Sequence, residues 1–184
     1  MALEKKEEWK TIADMEALPE GTRVELIDGK MYDMAAPTVV HQDIVSFLVT
    51  EINLYIRSKG GKCKVFPSPF DVQLDKDEYT LVQPDVSVIC DRSKLSGGKR
   101  CVGAPDWVVE VVSPATGKND YSSKFYKYRA AGVREYWIID PDEEKISTFN
   151  FTEWTFKTYS IDEKPAVKVG IYPDLVIDFS MLEI

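Results

Sequence analysis

One carboxylate stands inside an otherwise apolar stretch of the chain, the run Trp107-Val108-Val109-Glu110-Val111-Val112. The pattern predicts a strand that is buried on both faces. Side chains alternate along a strand, so Glu110 shares a face with Val108 and Val112. A buried carboxylate without a partner is costly. We therefore expect Glu110 either to reach solvent at the end of the sheet or to bind a partner such as a metal ion or a cation.

A second carboxylate, Asp85, follows Pro84 and begins the strand-like segment Val86-Ser87-Val88-Ile89. If this strand pairs with the Glu110 strand, the two carboxylates converge at one place on the sheet. Two hard oxygen ligands together with water suit Mg²⁺, and the backbone carbonyl of Val111 would supply a third ligand. Taken alone, Asp85 also fits a turn or the start of a strand.

Lys124 lies in a predicted helix that directly follows the Glu110 strand. It shares a helix face with Asp120 and with Tyr128, each four residues away. Taken alone, such a lysine is usually solvated on the protein surface. Because Phe125 and Tyr126 flank it, the sequence does not decide which face of the helix points inward.

The charge pattern bears on nucleic acid as a partner. The net charge of −8 opposes non-specific attraction between the whole chain and nucleic acid. Between Lys118 and Arg134, however, five basic residues stand against one acidic residue. This local balance favours a phosphate-facing side, although such a charge run is usually a solvated helix face. The sequence contains no helix-turn-helix or zinc-finger motif, so nothing supports sequence-specific DNA recognition.

The elements that must position these residues form a strand–helix–strand unit between Asp106 and Asp140. Such a unit predicts a right-handed crossover and a mixed α/β sheet. Asp28-Gly29 between two apolar segments predicts a tight hairpin. The remaining pattern predicts a short helix (11–17), a long helix (about 40–59), strands (63–66, 70–74, 85–90), a basic loop (91–103), a helix (about 121–131) and further strands (134–140, 146–151, 154–159, 175–179).

Length and composition indicate a single domain over residues 1–184, with residues 1–10 expected to be flexible. No apolar stretch approaches the ~20 residues needed to span a bilayer, and the charged start lacks an apolar signal core. We therefore predict a cytoplasmic protein. Cys63, Cys90 and Cys101 are too scattered for a zinc motif. Cys63 and Cys90 are expected to be reduced core residues.

An ordered set of motifs covers nearly the whole chain, from about Leu18 to Leu182. The motifs are Gln83-Pro84-Asp85, Pro105 to Pro114, Asp120 with Lys124, and Gly132 to Pro141, with further similarity over Val24 to Lys30, His41, and Phe66 to Val72. Together they resemble the Uma-type restriction endonuclease family, a branch of the PD-(D/E)xK nuclease superfamily. The resemblance implies a restriction endonuclease-like α/β core, with a mixed sheet flanked by helices, an added N-terminal hairpin and added C-terminal strands.

The resemblance also implies roles for individual residues. Asp85 matches the Asp of the superfamily motif, and Glu110 matches its (D/E) position. The motif lysine should stand two residues after Glu110, where this chain has Val112. In the family this role is thought to move to the following helix, which points to Lys124.

Three further residues match the family pattern with open alternatives. Glu25 is implied as an addition to the metal site, and it also fits a surface carboxylate beside Arg23. His41 is implied in substrate contact or catalysis, and it also fits a polar helix start. Gln83 fits either a residue that orients water or phosphate, or an ordinary loop residue.

The leading hypothesis is a nuclease that uses Mg²⁺ or Mn²⁺ to hydrolyse DNA phosphodiester bonds through Asp85, Glu110 and Lys124. The first alternative is a catalytically silent nucleic-acid-binding or protein-assembly module on the same fold, since fold does not determine function. The second alternative is an acidic protein-interaction domain that avoids DNA. The family resemblance also implies a homodimer.

Overall fold

The computed structural model describes residues 9–75, 77–113 and 120–184. The expected flexibility of residues 1–8 and the predicted strand end at residues 114–117 lie outside these ranges. The helices and strands in the described parts are α1 (Ile12–Glu16), β1 (Val24–Ile27), β2 (Lys30–Asp33), α2 (Val39–Ser58), β3 (Lys64–Pro67), β4 (Val72–Gln73), β5 (Val86–Ile89), β6 (Cys101–Val102), β7 (Trp107–Val111), α3 (Phe125–Ala131), β8 (Glu135–Asp140), β9 (Lys145–Asn150), β10 (Thr155–Ser160), β11 (Ala166–Lys168) and β12 (Val176–Asp178).

A six-stranded mixed sheet forms the centre of the fold, with the strand order β10-β9-β8-β7-β5-β3. The pair β7–β8 is parallel, and the other neighbouring pairs are antiparallel. Because β7 and β8 are parallel, the chain between them must cross over the sheet. The predicted strand–helix–strand unit and mixed sheet are therefore confirmed.

Two apolar layers cover the two faces of this sheet. On one face α2 packs its buried side chains, such as Ile44 and Leu48, against Val109 and Val111 of β7. On the other face Tyr128 of α3 packs with Val108 of β7. The alternation along β7 therefore directs Val109 and Val111 to the α2 layer and Val108 and Glu110 to the α3 layer.

The predicted hairpin is present between β1 and β2, where Ile27 pairs with Lys30. Asp28 and Gly29 both have positive φ, 50° and 71°. Positive φ at both central residues defines the type I′ turn, which the Asp-Gly pair favours because glycine meets no steric penalty there. The hairpin carries Glu25 on a strand whose four residues are all buried.

The segment before α3 differs from the single helix that the sequence predicts. Residues Asp120–Lys124 form a π-helical turn, and the α-helix begins only at Phe125. A π turn carries about one extra residue per turn and is often found at functional sites. Gly132, with φ of 94°, ends the helix as predicted.

The prediction of reduced Cys63 and Cys90 is wrong in this structure, because the two residues form a disulfide. The reason is strand register: Lys64 of β3 pairs with Ile89 of β5, so Cys63 and Cys90 face each other one position beyond the ladder. Cys101 is the free cysteine and is buried.

The predicted loop 91–103 also contains a short 3-10 helix, Arg92–Leu95, and strand β6. In the described residues no helix is long and apolar enough to cross a membrane.

Candidate active site at the end of the central strands

Asp85 and Glu110 meet at one end of the central sheet. Val86 of β5 pairs with Val109 of β7 in antiparallel register, so continuing the register by one residue places Asp85 opposite Glu110. Directly opposed residues of an antiparallel pair project to the same face, with Cβ atoms about 4.5–5.5 Å apart. The strand pairing therefore agrees with the expected convergence of the two carboxylates, and their sharing of one ion stays a prediction.

Glu110 does not reach solvent, because only 3% of its surface is exposed. Its Oε1 atom accepts a hydrogen bond from Lys124 Nζ at 3.1 Å and another from the Tyr128 hydroxyl at 2.5 Å. Of the two expectations for Glu110, exposure at the sheet end is wrong. The partner that the structure brings to it is a cation, Lys124, together with a neutral hydroxyl donor.

Lys124 is buried between two carboxylates. It is 4% exposed, and its Nζ atom lies 2.7 Å from Glu25 Oε2 and 3.1 Å from Glu110 Oε1. The interpretations of Lys124 as a solvated lysine and of Glu25 as a surface carboxylate are therefore both wrong. Removing one member of such a buried group leaves uncompensated charge, which is strongly destabilising.

Asp85 sits closer to solvent and is held by two donors. Its Oδ2 atom accepts a hydrogen bond from the Val111 N–H at 2.8 Å and lies 3.2 Å from His41 Nε2. No partner for its Oδ1 atom lies within the described ranges. His41 occupies the first turn of α2, where its backbone N–H donates to the capping Thr38 hydroxyl at 3.2 Å. It is thus both a helix-start residue and a contact of Asp85.

Gln83 supports the cluster mainly through its backbone. Its N–H donates to Glu25 Oε1 at 2.8 Å, and its side-chain amide donates to Asp71 Oδ1 at 2.9 Å. Both oxygens of Glu25 therefore accept hydrogen bonds, one from Gln83 and one from Lys124. A role for the Gln83 side chain in orienting water or phosphate stays a prediction.

Tyr128 is a site residue that the sequence reasoning missed. Burial, followed by the charge of Glu110, raises the pKa of Tyr128 well above its ordinary value. The hydroxyl therefore stays protonated and donates a hydrogen bond to Glu110. The four-residue spacing between Lys124 and Tyr128 was the available signal. That spacing places both side chains on one helix face, and Glu110 is the acceptor that they share.

The basic segment between Lys118 and Arg134 does not form one phosphate-facing surface in its described part. Lys124 is buried, Lys127 forms ion pairs with Asp28 and Asp75, and Arg134 lies 3.4 Å from Asp106. Lys118 lies outside the described residues. The local charge balance therefore gives less support for nucleic-acid binding than the sequence indicates.

The oxygen atoms at the sheet end are of the chemical type that binds a small, hard cation. The Val111 N–H points toward the Asp85 side of β7. In a strand the carbonyl of a residue points to the same side as its N–H. The register places Pro84 opposite Val111, and proline has no N–H to donate to that carbonyl. Asp85, Glu110 and the Val111 carbonyl could therefore hold Mg²⁺ or Mn²⁺, with water completing the coordination. Among the described residues no cluster of three His, Cys, Asp or Glu side chains could hold a metal ion.

A cavity of about 380 Å³ opens onto this cluster. Glu110, Lys124, Glu25 and Asp85 lie in its lining. Its other walls come from the β1–β2 hairpin, from residues 34–37, from the first turn of α2 and from Ser68 and Pro69. This cavity therefore gives access to the buried carboxylates from outside.

Comparisons with known proteins agree with the fold. Residues 9–179 match the family Uma2, described as "Putative restriction endonuclease". The chain is 28% identical over 150 residues to "Uncharacterized protein slr1290" from Synechocystis sp., covering 78% of this chain and 76% of that protein. A crystal structure of "a putative nuclease belonging to DUF820" from Anabaena variabilis superposes with a TM-score of 0.75 at 22% identity, covering 94% of this chain and 96% of that one. This likeness confirms the predicted restriction endonuclease-like fold.

Proposed function

The chain belongs to the Uma2 family, and from this premise we propose that it is a metal-dependent nuclease that hydrolyses phosphodiester bonds in DNA. The observation that carries the proposal is that Asp85, Glu110 and Lys124 line one cavity, with the Lys124 ammonium 3.1 Å from Glu110. These are the residue types that the family pattern requires, although the lysine comes from a different element.

The metal would bind to Asp85, Glu110 and the Val111 carbonyl. Glu25 and Glu110 pair with a single lysine, and Asp85 lies beside His41 in the lining of the same cavity, so a divalent cation would offset the negative charge of these three carboxylates. When bound, Mg²⁺ or Mn²⁺ would stabilise charge on the phosphate oxygens and lower the pKa of a bound water.

The remaining roles follow from the hydrogen bonds of the cluster. Lys124 donates to Glu25 and Glu110, so its protons are engaged, which supports electrostatic stabilisation of the phosphate rather than proton abstraction. Tyr128 orients Glu110 through its hydroxyl. His41 and the Val111 N–H orient Asp85 by holding Oδ2.

Asp85→Asn tests the proposal with little risk to folding, because Asp85 is only partly buried and asparagine keeps its shape. With Mg²⁺ or Mn²⁺ we expect the wild-type protein to cleave labelled single- or double-stranded DNA and the variant to be at least about 100-fold slower. Lys157→Ala is the matched control, since Lys157 is exposed on β10. Equal cleavage by wild type and Asp85→Asn would exclude this site as the source of activity.

A catalytically silent module is the second candidate function, and one observation favours it. Lys124 pairs with both Glu25 and Glu110, an arrangement that stabilises the fold without a metal. In that case Mn²⁺ would leave the melting temperature unchanged, and the wild-type protein would cleave neither DNA form. A metal-dependent rise in melting temperature that is lost in Asp85→Asn would argue for the nuclease.

A further inference from the structure

Two acids of the site, Glu25 and Glu110, and the lysine Lys124 lie too deep to touch the outside of a flat or convex partner. Glu110 is 3% exposed, Lys124 4% and Glu25 5%. A phosphodiester can approach them through the cavity of about 380 Å³. Pockets that enclose small ligands measure roughly 300–1,000 Å³, so this volume is of the order of a single nucleotide.

A continuous DNA duplex is poorly matched to such an opening. Its phosphates lie on the outer surface of a stiff rod, with a persistence length of about 150 base pairs. Each phosphate is flanked by stacked, paired bases that cannot enter a one-nucleotide cavity. Enzymes with buried sites therefore act on single strands or withdraw the target nucleotide from the stack.

The walls of the cavity have the composition that one nucleotide needs. Met34, Ala36, Pro37 and Pro69 supply apolar surface for a sugar and a base. Ser68 supplies a buried hydroxyl that has no hydrogen-bond partner within the described part of the chain. Its backbone N–H donates to the carbonyl of Asp85 at 3.1 Å, which places Ser68 beside that candidate metal ligand.

Arg23 supplies a cation that the protein itself does not neutralise. It is exposed, lines the cavity and has no acidic partner within salt-bridge distance in the described ranges. Arginine is a strong donor to phosphate. At the rim of the cavity its guanidinium is placed to contact a phosphate of the same strand while the adjacent nucleotide occupies the interior.

We infer that this cavity takes one unpaired nucleotide, so that the substrate class of the site is single-stranded nucleic acid or a strand end, with Arg23 as a phosphate contact. The part of this inference that makes the bound strand a substrate for cleavage rests on the proposed function. The binding preference itself can be measured without cleavage.

The test compares two DNAs as competitors in Ca²⁺ at low salt, with the fluorescence anisotropy of a fluorescein-labelled single strand as the readout. One competitor is the unlabelled single-stranded oligonucleotide, and the other is a covalently closed circular duplex that contains the same sequence and has neither a loop nor a strand end. We expect the single strand to bind at least about tenfold more tightly, and Arg23→Ala to weaken its binding about fivefold to tenfold. Arg57→Ala is the matched control, because Arg57 is exposed in the last turn of α2, roughly 28 Å along the helix from its start.

A second pair of variants tests the cavity rather than the charge. Ala36 is exposed and lines the cavity, whereas Ala130 is exposed on α3 away from the lining. Ala36→Trp should fill part of the space and weaken single-strand binding, and Ala130→Trp should not.

Each outcome decides the inference separately from the proposed function. Equal binding of the closed duplex, equal effects of Arg23→Ala and Arg57→Ala, or no binding of either DNA would overturn the inference. Failure of the wild-type protein to cleave any DNA in Mg²⁺ or Mn²⁺ would instead overturn the proposed function. Cleavage of both DNAs at one rate, with loss of both in Asp85→Asn, would support the function and contradict the inference.

Discussion

Lys124 brings a charged atom to Glu110 although its residue lies outside the motif position. The superfamily pattern expects a lysine two residues after Glu110, where Val112 packs against the apolar layer under α3. Lys124 is instead the last residue of the π turn that precedes α3, and its Nζ atom lies 3.1 Å from Glu110 Oε1. The ammonium therefore reaches the carboxylate from a helix above the sheet rather than from the strand itself.

Tyr128→Phe tests how much the hydroxyl contributes to holding Glu110. The variant keeps the ring but leaves Glu110 with one fewer donor in a fully buried position. Hydrogen bonds to charged groups are worth about 1.5–3 kcal/mol, so we expect the free energy of unfolding to fall by about that amount in urea denaturation.

Tyr126→Phe is the matched control for that measurement. Tyr126 lies on the same helix but is 66% exposed, so its change should be close to neutral. Equal stability of wild type and Tyr128→Phe would mean that the hydroxyl does not hold Glu110 in solution.

At the scale of elements, strand register decides what the site contains. The pairing of β5 with β7 puts Asp85 opposite Glu110, and the pairing of β3 with β5 puts Cys63 opposite Cys90. A slip of one residue would turn every side chain of a strand to the other face. The disulfide and the candidate metal site therefore depend on the same strand of the central sheet. This strand, β5, is preceded by Asp85 and followed by Cys90.

Thiol counting tests the pairing of the cysteines. Burial raises the pKa of the Cys101 thiol to about 11, so the native protein should show no reactive thiol with a disulfide-exchange reagent near neutral pH. After unfolding without reductant we expect only Cys101 to react, and after reduction all three cysteines. Reaction of all three in the unreduced, unfolded protein would contradict the disulfide. The result also bears on the predicted cytoplasmic location, because disulfides are rare in that compartment.

The elements that local sequence specifies were predicted well. Asp28-Gly29 specified its turn, the apolar spacing between Val40 and Lys59 specified α2, and the apolar run around Glu110 specified β7. Each of these signals lies within a few residues of the element that it describes.

The features that sequence did not reveal depend on contacts between distant segments. The disulfide needs the β3–β5 register, and the role of Tyr128 needs α3 to face Glu110. Strand β11 and the short strand β6 also escaped prediction, since a strand of two or three residues carries almost no periodicity. The pairing of Lys124 with Glu25 joins the first hairpin to the crossover, 99 positions apart in the printed sequence.

For the whole molecule, one buried carboxylate ties the central sheet to the C-terminal segment. Glu135, at the start of β8, accepts hydrogen bonds from the Gly170 N–H at 2.9 Å, the Ile171 N–H at 2.7 Å and the Trp137 indole at 2.7 Å. These bonds dock the segment between β11 and β12 onto the sheet. The homodimer implied by the family resemblance stays a prediction.

The titration of Glu135 gives the stability of the molecule a defined pH dependence. Burial, only partly opposed by those hydrogen bonds, raises the pKa of Glu135 above its ordinary value of 4.5. The folded protein therefore holds this proton more tightly than the unfolded chain, and the resulting stabilisation is lost as pH rises through the raised pKa. Relative to Glu135→Gln, wild type should lose free energy of unfolding as the pH rises above 4.5, measured by urea denaturation at a series of pH values. A difference that does not change with pH would show that Glu135 titrates normally.

The pairing between Glu25 and Lys124 has a consequence for synthesis of the protein. The ribosome makes the hairpin carboxylate first, then Asp85 and Glu110, and adds the lysine only after about two thirds of the chain. Contacts between segments so far apart in sequence form slowly, because a large loop must close before they are made. Until Lys124 has been added, the nascent chain contains Glu25 and Glu110, which are buried in the folded protein, without the cation that pairs with them. The cluster of Glu25, Glu110 and Lys124 can therefore be completed only after the crossover segment has been synthesised.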